Sequence, residues 1–197
     1  MQEPAVGTRK AKSKENTEDF DFYITPILAM EKLIEKEKFV GSILEPCSGN
    51  GVISKFFEEQ GHKVISSDIQ TSDIIYGTRG QDAMALSGIV ANNLITNPPY
   101  LTTKKLLEMC NHFLTLADSK IALLLRLGFL ESQARYKFFQ ETPLSKVLVF
   151  SKRLTMYRAS MTKEEIEKSG GGKMSFAWFI WDHTHPIDKP PIIDWLL

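Results

Sequence analysis

Two spacings of apolar residues alternate along this chain. Between Thr25 and Lys38, the residues Ile27, Met30, Leu33 and Ile34 recur three and four positions apart, the spacing of a helix with one apolar face. Thr25 reads as its cap and Pro26 as its first turn. Compact apolar runs near residues 42–46, 63–68 and 92–96 read as strands. Between the first two, Val52 to Gln60 has a helical pattern that stops at Gly61. A helix over about Thr102 to Leu116 turns Leu106, Leu107, Met109, Cys110 and Phe113 inward. Lys120-Ile-Ala-Leu-Leu-Leu125 is apolar at successive positions, as in a strand covered on both faces. A short helix follows over Ser132 to Glu141. Val147-Leu-Val-Phe150 and Met174 to Trp181 read as the last two strands, an antiparallel pair at the sheet edge. This order predicts an α/β domain built on a mostly parallel sheet with helices on its faces.

Composition narrows the picture. A length of 197 residues suits one domain with a full core, and 43% hydrophobic with 24% charged residues is ordinary for a globular chain. Lys plus Arg and Asp plus Glu number 24 each, so the formal net charge is zero. That argues against a protein that coats nucleic acid non-specifically, while leaving room for a local basic face. Cys47 and Cys110 do not make a disulfide framework. No run is long and apolar enough to span a membrane and no signal peptide is visible, so a cytoplasmic location is expected. Asp182-His183-Thr-His185 lacks a third ligand at a suitable spacing and reads as a polar strand end; no metal is expected.

Two segments depart from the pattern. Residues 1–18 are polar, with Arg9, Lys10, Lys12 and Lys14 diluted by Glu15 and Glu18. They read as a tail before a single domain over 19–197, either solvated or acting as an arm onto phosphates. Residues 151–173 form a long insertion between the last two strands. It carries Lys152, Arg153, Arg158, Lys163, Lys168 and Lys173 against Glu164, Glu165 and Glu167, a net +3, with Met156, Tyr157 and Met161 interleaved. It reads as a solvent loop or a nucleic-acid contact. Its length favours the contact, with Lys152, Arg153 and Arg158 on phosphates.

The candidate chemistry sits at strand ends. Asn97-Pro98-Pro99-Tyr100 follows the strand at 92–96. Two prolines stop the strand and stiffen the exit, holding an amide at the strand end and a ring three residues on. The Asn97 side-chain carbonyl and the Pro98 backbone carbonyl can accept both N–H groups of an exocyclic amine, and Tyr100 can stack on its plane. The competing reading is a Pro-Pro turn. Upstream, Pro46-Cys47-Ser48-Gly49-Asn50-Gly51 is a tight turn between a strand ending at Glu45 and a helix start. Its glycines let backbone approach a ligand. Asp68 ends the next strand, about 20 residues beyond, where an acid can bind ribose hydroxyls. Arg126 ends a strand on the same side and reads equally as a phosphate contact or an ion-pair partner.

In this order, these motifs resemble the S-adenosylmethionine-dependent amino methyltransferases, most closely the DNA N6-adenine group common in phages and prophages. The resemblance covers most of the chain and implies a Rossmann-like methyltransferase fold, a mostly parallel seven-stranded sheet flanked by helices with an antiparallel edge hairpin. It implies S-adenosylmethionine as cofactor and DNA as acceptor, in a host cytoplasm if the chain is phage-encoded. Glu45, Pro46, Cys47, Ser48, Gly49 and Gly51 look like the family's cofactor loop, Cys47 as a small packing residue. Asp68 sits where the family binds ribose, with Ile69 beside it among the cofactor contacts. Asp82 matches the position that accepts from the cofactor's adenine amine. Tyr23, Thr25 and Pro26 resemble the N-terminal motif that closes over the cofactor. Asn97, Pro98, Pro99 and Tyr100 look like the catalytic motif, Asn97 also touching the cofactor. The implied reaction is direct methyl transfer to adenine N6, with no metal and no strong general base. Methyltransferases acting on RNA bases or protein glutamine share the Asn-Pro-Pro-Tyr motif, and a silent cofactor-binding module is a third reading. No segment is left for a target-recognition domain, which implies a short or relaxed target.

Overall fold

The computed structural model of the chain describes residues 23–158, 161–168, 172 and 174–197. The segment read as a polar tail, 1–18, lies outside the described residues, as do Gly170, Gly171 and Lys173 of the insertion. The elements begin with β1 (Tyr23–Ile24), α1 (Ile27–Lys36), β2 (Ile43–Glu45), α2 (Val52–Glu59), β3 (Val64–Asp68) and β4 (Thr78–Arg79). Then come β5 (Ala91–Thr96), α3 (Thr103–Phe113), β6 (Ala117–Arg126), α4 (Gln133–Glu141) and β7 (Leu144–Phe150). The chain closes with β8 (Tyr157–Arg158), α5 (Lys163–Lys168), β9 (Phe176–Asp182) and β10 (Ile192–Leu196).

Eight strands form one sheet in the order β10-β7-β9-β6-β5-β2-β3-β4. All neighbours are parallel except β9, which runs antiparallel to both β6 and β7. The antiparallel pair of the sequence reading is therefore present, with β9 slotted inside the sheet. The outer edge belongs to β10, a strand that the apolar pattern does not announce. Its Ile192, Ile193 and Trp195 are each at least half exposed, so no buried face marks it.

Strand β6 shows why an unbroken apolar run belongs in the middle of such a sheet. Ile121, Leu123 and Leu125 face a core with Phe113, Phe138 and Phe179, under α3 and α4. Ala122 and Leu124 face the opposite core with Met30, Leu33, Phe57 and Trp178, under α1 and α2. Each fully buried side chain of this size contributes about 1.5–3 kcal/mol. Trp178 and Trp181 lie on opposite faces of β9, and each indole N–H is satisfied, at Ala29 O (2.8 Å) and Thr142 Oγ1 (3.1 Å) respectively. Helix α1 buries a narrower stripe than its spacing predicts. Ala29, Met30 and Leu33 are inside, whereas Ile27 and Ile34 flank the contact and stay exposed.

At the end of the sheet where β6 begins, Glu37 is buried just past the end of α1. Its two carboxylate oxygens accept from Lys120 Nζ (2.5 Å) and Lys146 Nζ (2.6 Å), and Asp182 lies 3.7 Å from Lys120. Asp182 also accepts from the Thr184 N–H and hydroxyl, so the acid of the Asp-His-Thr-His run is engaged in a local turn.

Candidate active site

The opposite end of the sheet, beyond the C-terminal ends of β2, β3 and β5, holds the predicted motifs. Such a crevice is where open parallel sheets bind ligands. The turn after β2 is closed by Gly51, which caps α2 in the left-handed region (φ 77°). A Cβ there would stand 2.3 Å from Tyr76 Cγ, so the φ angle and the packed ring already require glycine. Glu45 reaches from the end of β2 under the first turn of α2. Its Oε2 accepts from the Ser54 N–H (2.8 Å) and from the Ser54 hydroxyl, so it caps the helix from outside. Burial pushes this carboxyl up to about 8. The nearby charges of Asp68 and Glu58 add to the rise and the Ser54 bonds oppose it.

Asp68 ties the turn to the exit of β3. Oδ2 accepts from Gly49 N and Oδ1 from Gln70 N, both at 2.9 Å. Each oxygen keeps a second lone pair for a ligand. Ile69 beside it is 62% exposed, an apolar surface offered to the crevice. Asp82 accepts from Met84 N (2.8 Å), capping a single helical turn at Ala83–Ala85. The Cys47 thiol is held well above its ordinary value by burial, which keeps it protonated and fits a packing role.

Asn97 follows β5. Its Nδ2 donates to Thr25 Oγ1 (3.1 Å) and approaches Met156 Sδ (3.7 Å). Its Oδ1 is buried with no donor among the described residues. Thr25 is therefore not the cap of α1; Pro26 occupies the cap position with no side-chain bond, and the threonine hydroxyl serves Asn97 instead. Tyr100 stands half-exposed at the end of the motif. The Arg126 guanidinium lies 4.4 Å from its ring centre, Tyr23 meets it edge-on at 5.2 Å, and its hydroxyl donates to Met156 Sδ at 3.5 Å. Burial pushes the Tyr100 hydroxyl up to about 12, against the pull of Arg126. Arg126 forms no ion pair among the described residues; the Tyr100 ring is its neighbour.

The N-terminal motif and the basic insertion meet over this site. Strands β1 and β8 pair antiparallel, Tyr23 with Arg158 and Ile24 with Tyr157, forming a separate two-stranded ribbon. Arg158 is exposed and its Nε is 3.4 Å from Tyr23 Oη. Lys152 and Arg153 are exposed and stand outside the crevice. Met156, an ordinary apolar loop residue by sequence, proves to be an acceptor shared by Asn97 and Tyr100.

Together these residues enclose a cavity of about 530 Å³. Its walls bring together Tyr23, Thr25, Asn97, Pro98, Pro99 and Tyr100 with the loop residues Glu45, Pro46, Cys47, Ser48 and Gly49 and the strand-end residues Asp68, Ile69 and Asp82. Asn50, Val52, Ile53, Gln70, Ala83, Leu101 and Met109 complete it, none of which stood among the predicted site residues. Pro26 and Gly51 do not line it. A second cavity, of about 310 Å³, opens on the other side of the Pro98–Leu101 segment. Among the described residues no cluster of three or more His, Cys, Asp or Glu side chains could hold a metal ion, and no helix is long and apolar enough to cross a membrane.

The architecture has many counterparts among solved structures. A protein described as a modification subunit of a type I restriction enzyme from Vibrio vulnificus YJ016 superposes with a TM-score of 0.56 at 14% identity. The match covers 86% of this chain and 46% of that one, so the chain spans about half the length of the Vibrio subunit. A SAM-dependent methyltransferase from Archaeoglobus fulgidus gives 0.53 at 14% identity, over 79% and 92% of the two chains. Magnesium protoporphyrin IX methyltransferase from Synechocystis PCC 6803, solved with bound SAM, gives 0.52 at 18%, over 79% and 76%. No protein-family model matches the sequence, and no curated protein does. The likeness is one of fold: the chain has the Rossmann-like α/β fold of S-adenosylmethionine-dependent methyltransferases, a mostly parallel sheet with the antiparallel β6-β9-β7 region at one side.

Proposed function

We propose that this protein transfers a methyl group from S-adenosylmethionine to the N6 amine of adenine in DNA. The observation that carries the reading is Asn97 Oδ1, a buried acceptor at a cavity wall with no donor of its own. Leaving a buried acceptor unmade costs about 1–3 kcal/mol, and an N–H of a bound amine would recover it. The Nδ2 end of the same amide is already occupied by Thr25 and Met156, which turns the oxygen toward the missing donor.

The residues present fit the cofactor. A cavity of about 530 Å³ lies within the usual range for small-molecule sites, roughly 300–1,000 Å³. Asp68 and Asp82 supply acceptors for ribose and adenine groups, Ile69 an apolar surface, and Tyr23 and Thr25 a wall on the opposite side. When bound, the cofactor supplies an activated methyl group on its sulfonium. The chain's own task is positioning. Asn97 Oδ1 and the Pro98 carbonyl accept the two N–H groups of the amine, which localises its lone pair. Tyr100 holds the plane of a flipped or single-stranded base by stacking. The amine becomes cationic on attack and then releases a proton to solvent, so no strong general base is needed. DNA as the acceptor rests on the Asn-Pro-Pro-Tyr motif and the exposed Lys152, Arg153 and Arg158, proposed to hold phosphates. The likeness to a restriction-enzyme modification subunit agrees with it at the level of fold.

The test is incubation with labelled S-adenosylmethionine and separate DNA, RNA and protein pools. Label in DNA, recovered as N6-methyladenine, is the expected result. Label confined to RNA or protein, or none at all, overturns the reading. Asn97→Ala is expected to lower the transfer rate by on the order of 10²–10³-fold, the range for removal of one preorganised polar contact to the reacting group. Calorimetric titration should show cofactor affinity nearly unchanged.

A further inference from the structure

We propose that the second cavity is a phosphate site: it receives a backbone phosphate of the acceptor strand beside the methylated base. The inference rests on the DNA reading above for the identity of the ligand, but the site itself is argued from its own residues. Arg126 and Arg135 line the cavity with Pro99, Tyr100, Thr103 and Phe129, and no carboxylate lines it. Among the described residues neither arginine forms an ion pair. Two positive charges thus share one concave apolar wall with no carboxylate among the described residues lining it. A guanidinium matches phosphate oxygens in charge and in fork geometry.

The two arginines are held differently. Arg135 is fixed: Nη1 donates to the Gly128 and Glu131 carbonyls at 2.6 Å each, Nη2 to Thr103 Oγ1 at 3.3 Å, and the guanidinium lies 5.0 Å from the centre of the Phe129 ring. It makes a standing positive wall. Arg126 is exposed and rests on Tyr100, 4.4 Å from the ring centre. It is the arm that can reach an incoming anion. The first turn of α3, an eleven-residue helix whose cap residue Thr102 makes no side-chain capping bond, opens at the same wall and adds to the positive potential. Tyr100 and the Pro98–Leu101 segment separate this cavity from the larger one. An anion seated at Arg126 would therefore lie one ring's width from the base that Tyr100 is proposed to stack. That is the relation between a nucleotide's base and its own backbone.

Two arms test this. Inorganic phosphate is titrated into the full chain while the side-chain N–H resonances of Arg126 and Arg135 are followed by NMR. Saturable shifts of both are expected, with affinity reduced at least tenfold in Arg126→Gln. The absence of saturable shifts overturns the site. In the second arm, an oligonucleotide that the wild type methylates carries one neutral methylphosphonate linkage beside the target adenine. The neutral linkage should weaken acceptor binding several-fold in the wild type and have little effect in Arg126→Gln. An equal penalty in both proteins overturns the assignment to the strand. The arms separate the two readings. Phosphate binding without any transfer to DNA removes the proposed function and keeps the anion site; transfer that ignores the linkage and Arg126 does the reverse.

Discussion

Strand β6 links two ends of this molecule that treat charge in opposite ways. Where it begins, Lys120 meets Glu37, Glu37 also holds Lys146, and Asp182 stands within reach of Lys120. Where it ends, Arg126 has an aromatic ring for a neighbour and no carboxylate among the described residues. The same contrast holds for two glutamates. At the closed end Glu37 lies below the ordinary value: burial alone would raise it, but the hydrogen bonds and charges of Lys120 and Lys146 outweigh burial. At the crevice end Glu45 has only Ser54 to offset its burial and rises to about 8. One end has its charged groups matched within the chain, although Asn93 Oδ1 is buried there without a donor among the described residues. The other keeps, among the described residues, the donorless Asn97 Oδ1, two arginines without an ion pair and a destabilised carboxyl, the pattern of groups left for ligands.

The contrast can be broken from either side. The largest effect on stability is expected from Glu45. Between its ordinary 4.5 and about 8 the folded chain keeps a proton there that the unfolded chain has released, so stability should fall as pH rises through that window. The whole span is roughly 3–5 kcal/mol at most. Glu45→Gln should flatten this part of the stability–pH curve in denaturant titrations and be more stable than the wild type above pH 8. A wild-type curve with no downward slope there would remove the strain assigned to Glu45.

Glu37→Gln attacks the matched end. It removes the carboxylate charge shared by Lys146 and Lys120, leaving Lys120 with Asp182 and the Lys38 carbonyl, and should cost about 2–3 kcal/mol, less than a fully buried pair because both lysines are partly exposed. The folded-state value of Glu37 is depressed, so its contribution is complete above pH 4.5 and is lost as pH falls through that depressed value. The two glutamates thus give slopes of opposite sign. Methyl transfer per folded molecule should not change in Glu37→Gln; a large loss would mean that the two ends are not independent.

The smallest effect belongs to Tyr100→Ala. Loss of a stacking ring should weaken acceptor binding by about 1–3 kcal/mol while leaving the stability curve almost unmoved, since the ring is half-exposed. Filter binding of a single-stranded oligonucleotide alongside thermal unfolding reads both. An unfolded variant would reassign Tyr100 from acceptor contact to structural support.

Much of this arrangement is legible in the sequence because it obeys local rules. The apolar run of β6 declares a central strand, the glycine turn declares a βα junction, and two prolines after Asn97 declare a strand end. Asp68 is found by its distance from that turn. What escapes has no local rule. Strand β10 exposes three of its four apolar side chains, so burial leaves no period in it. Thr25-Pro26 imitates a helix cap and first turn; only the fold shows the hydroxyl turned toward Asn97 instead. Met156 resembles any loop methionine, because a thioether acting as an acceptor for an amide and a phenol 59 and 56 positions away has no sequence signature. The pairing of β1 with β8 involves two residues from each strand and spans most of the chain, beyond the reach of any periodicity.

That short ribbon ties two distant stretches of chain to one amide. Asn97 Oδ1 is closed to solvent, with Thr25 and Met156, one from beside each strand of the ribbon, against the same amide. Both hold the Nδ2 end of that amide, and so they fix which way the oxygen faces. Two pairs of residues hold the ribbon together, and each hydrogen bond in it is worth only about 0.5–1.5 kcal/mol. Arg158 also lies over the Tyr23 ring, and the cost of parting the ribbon falls on the N-terminal segment and the basic insertion at once. Whatever steadies one therefore steadies the other by the same free energy. An occupant of the larger cavity and a strand lying along the insertion would feel each other through this latch, each tightening the other's hold without the two ever touching.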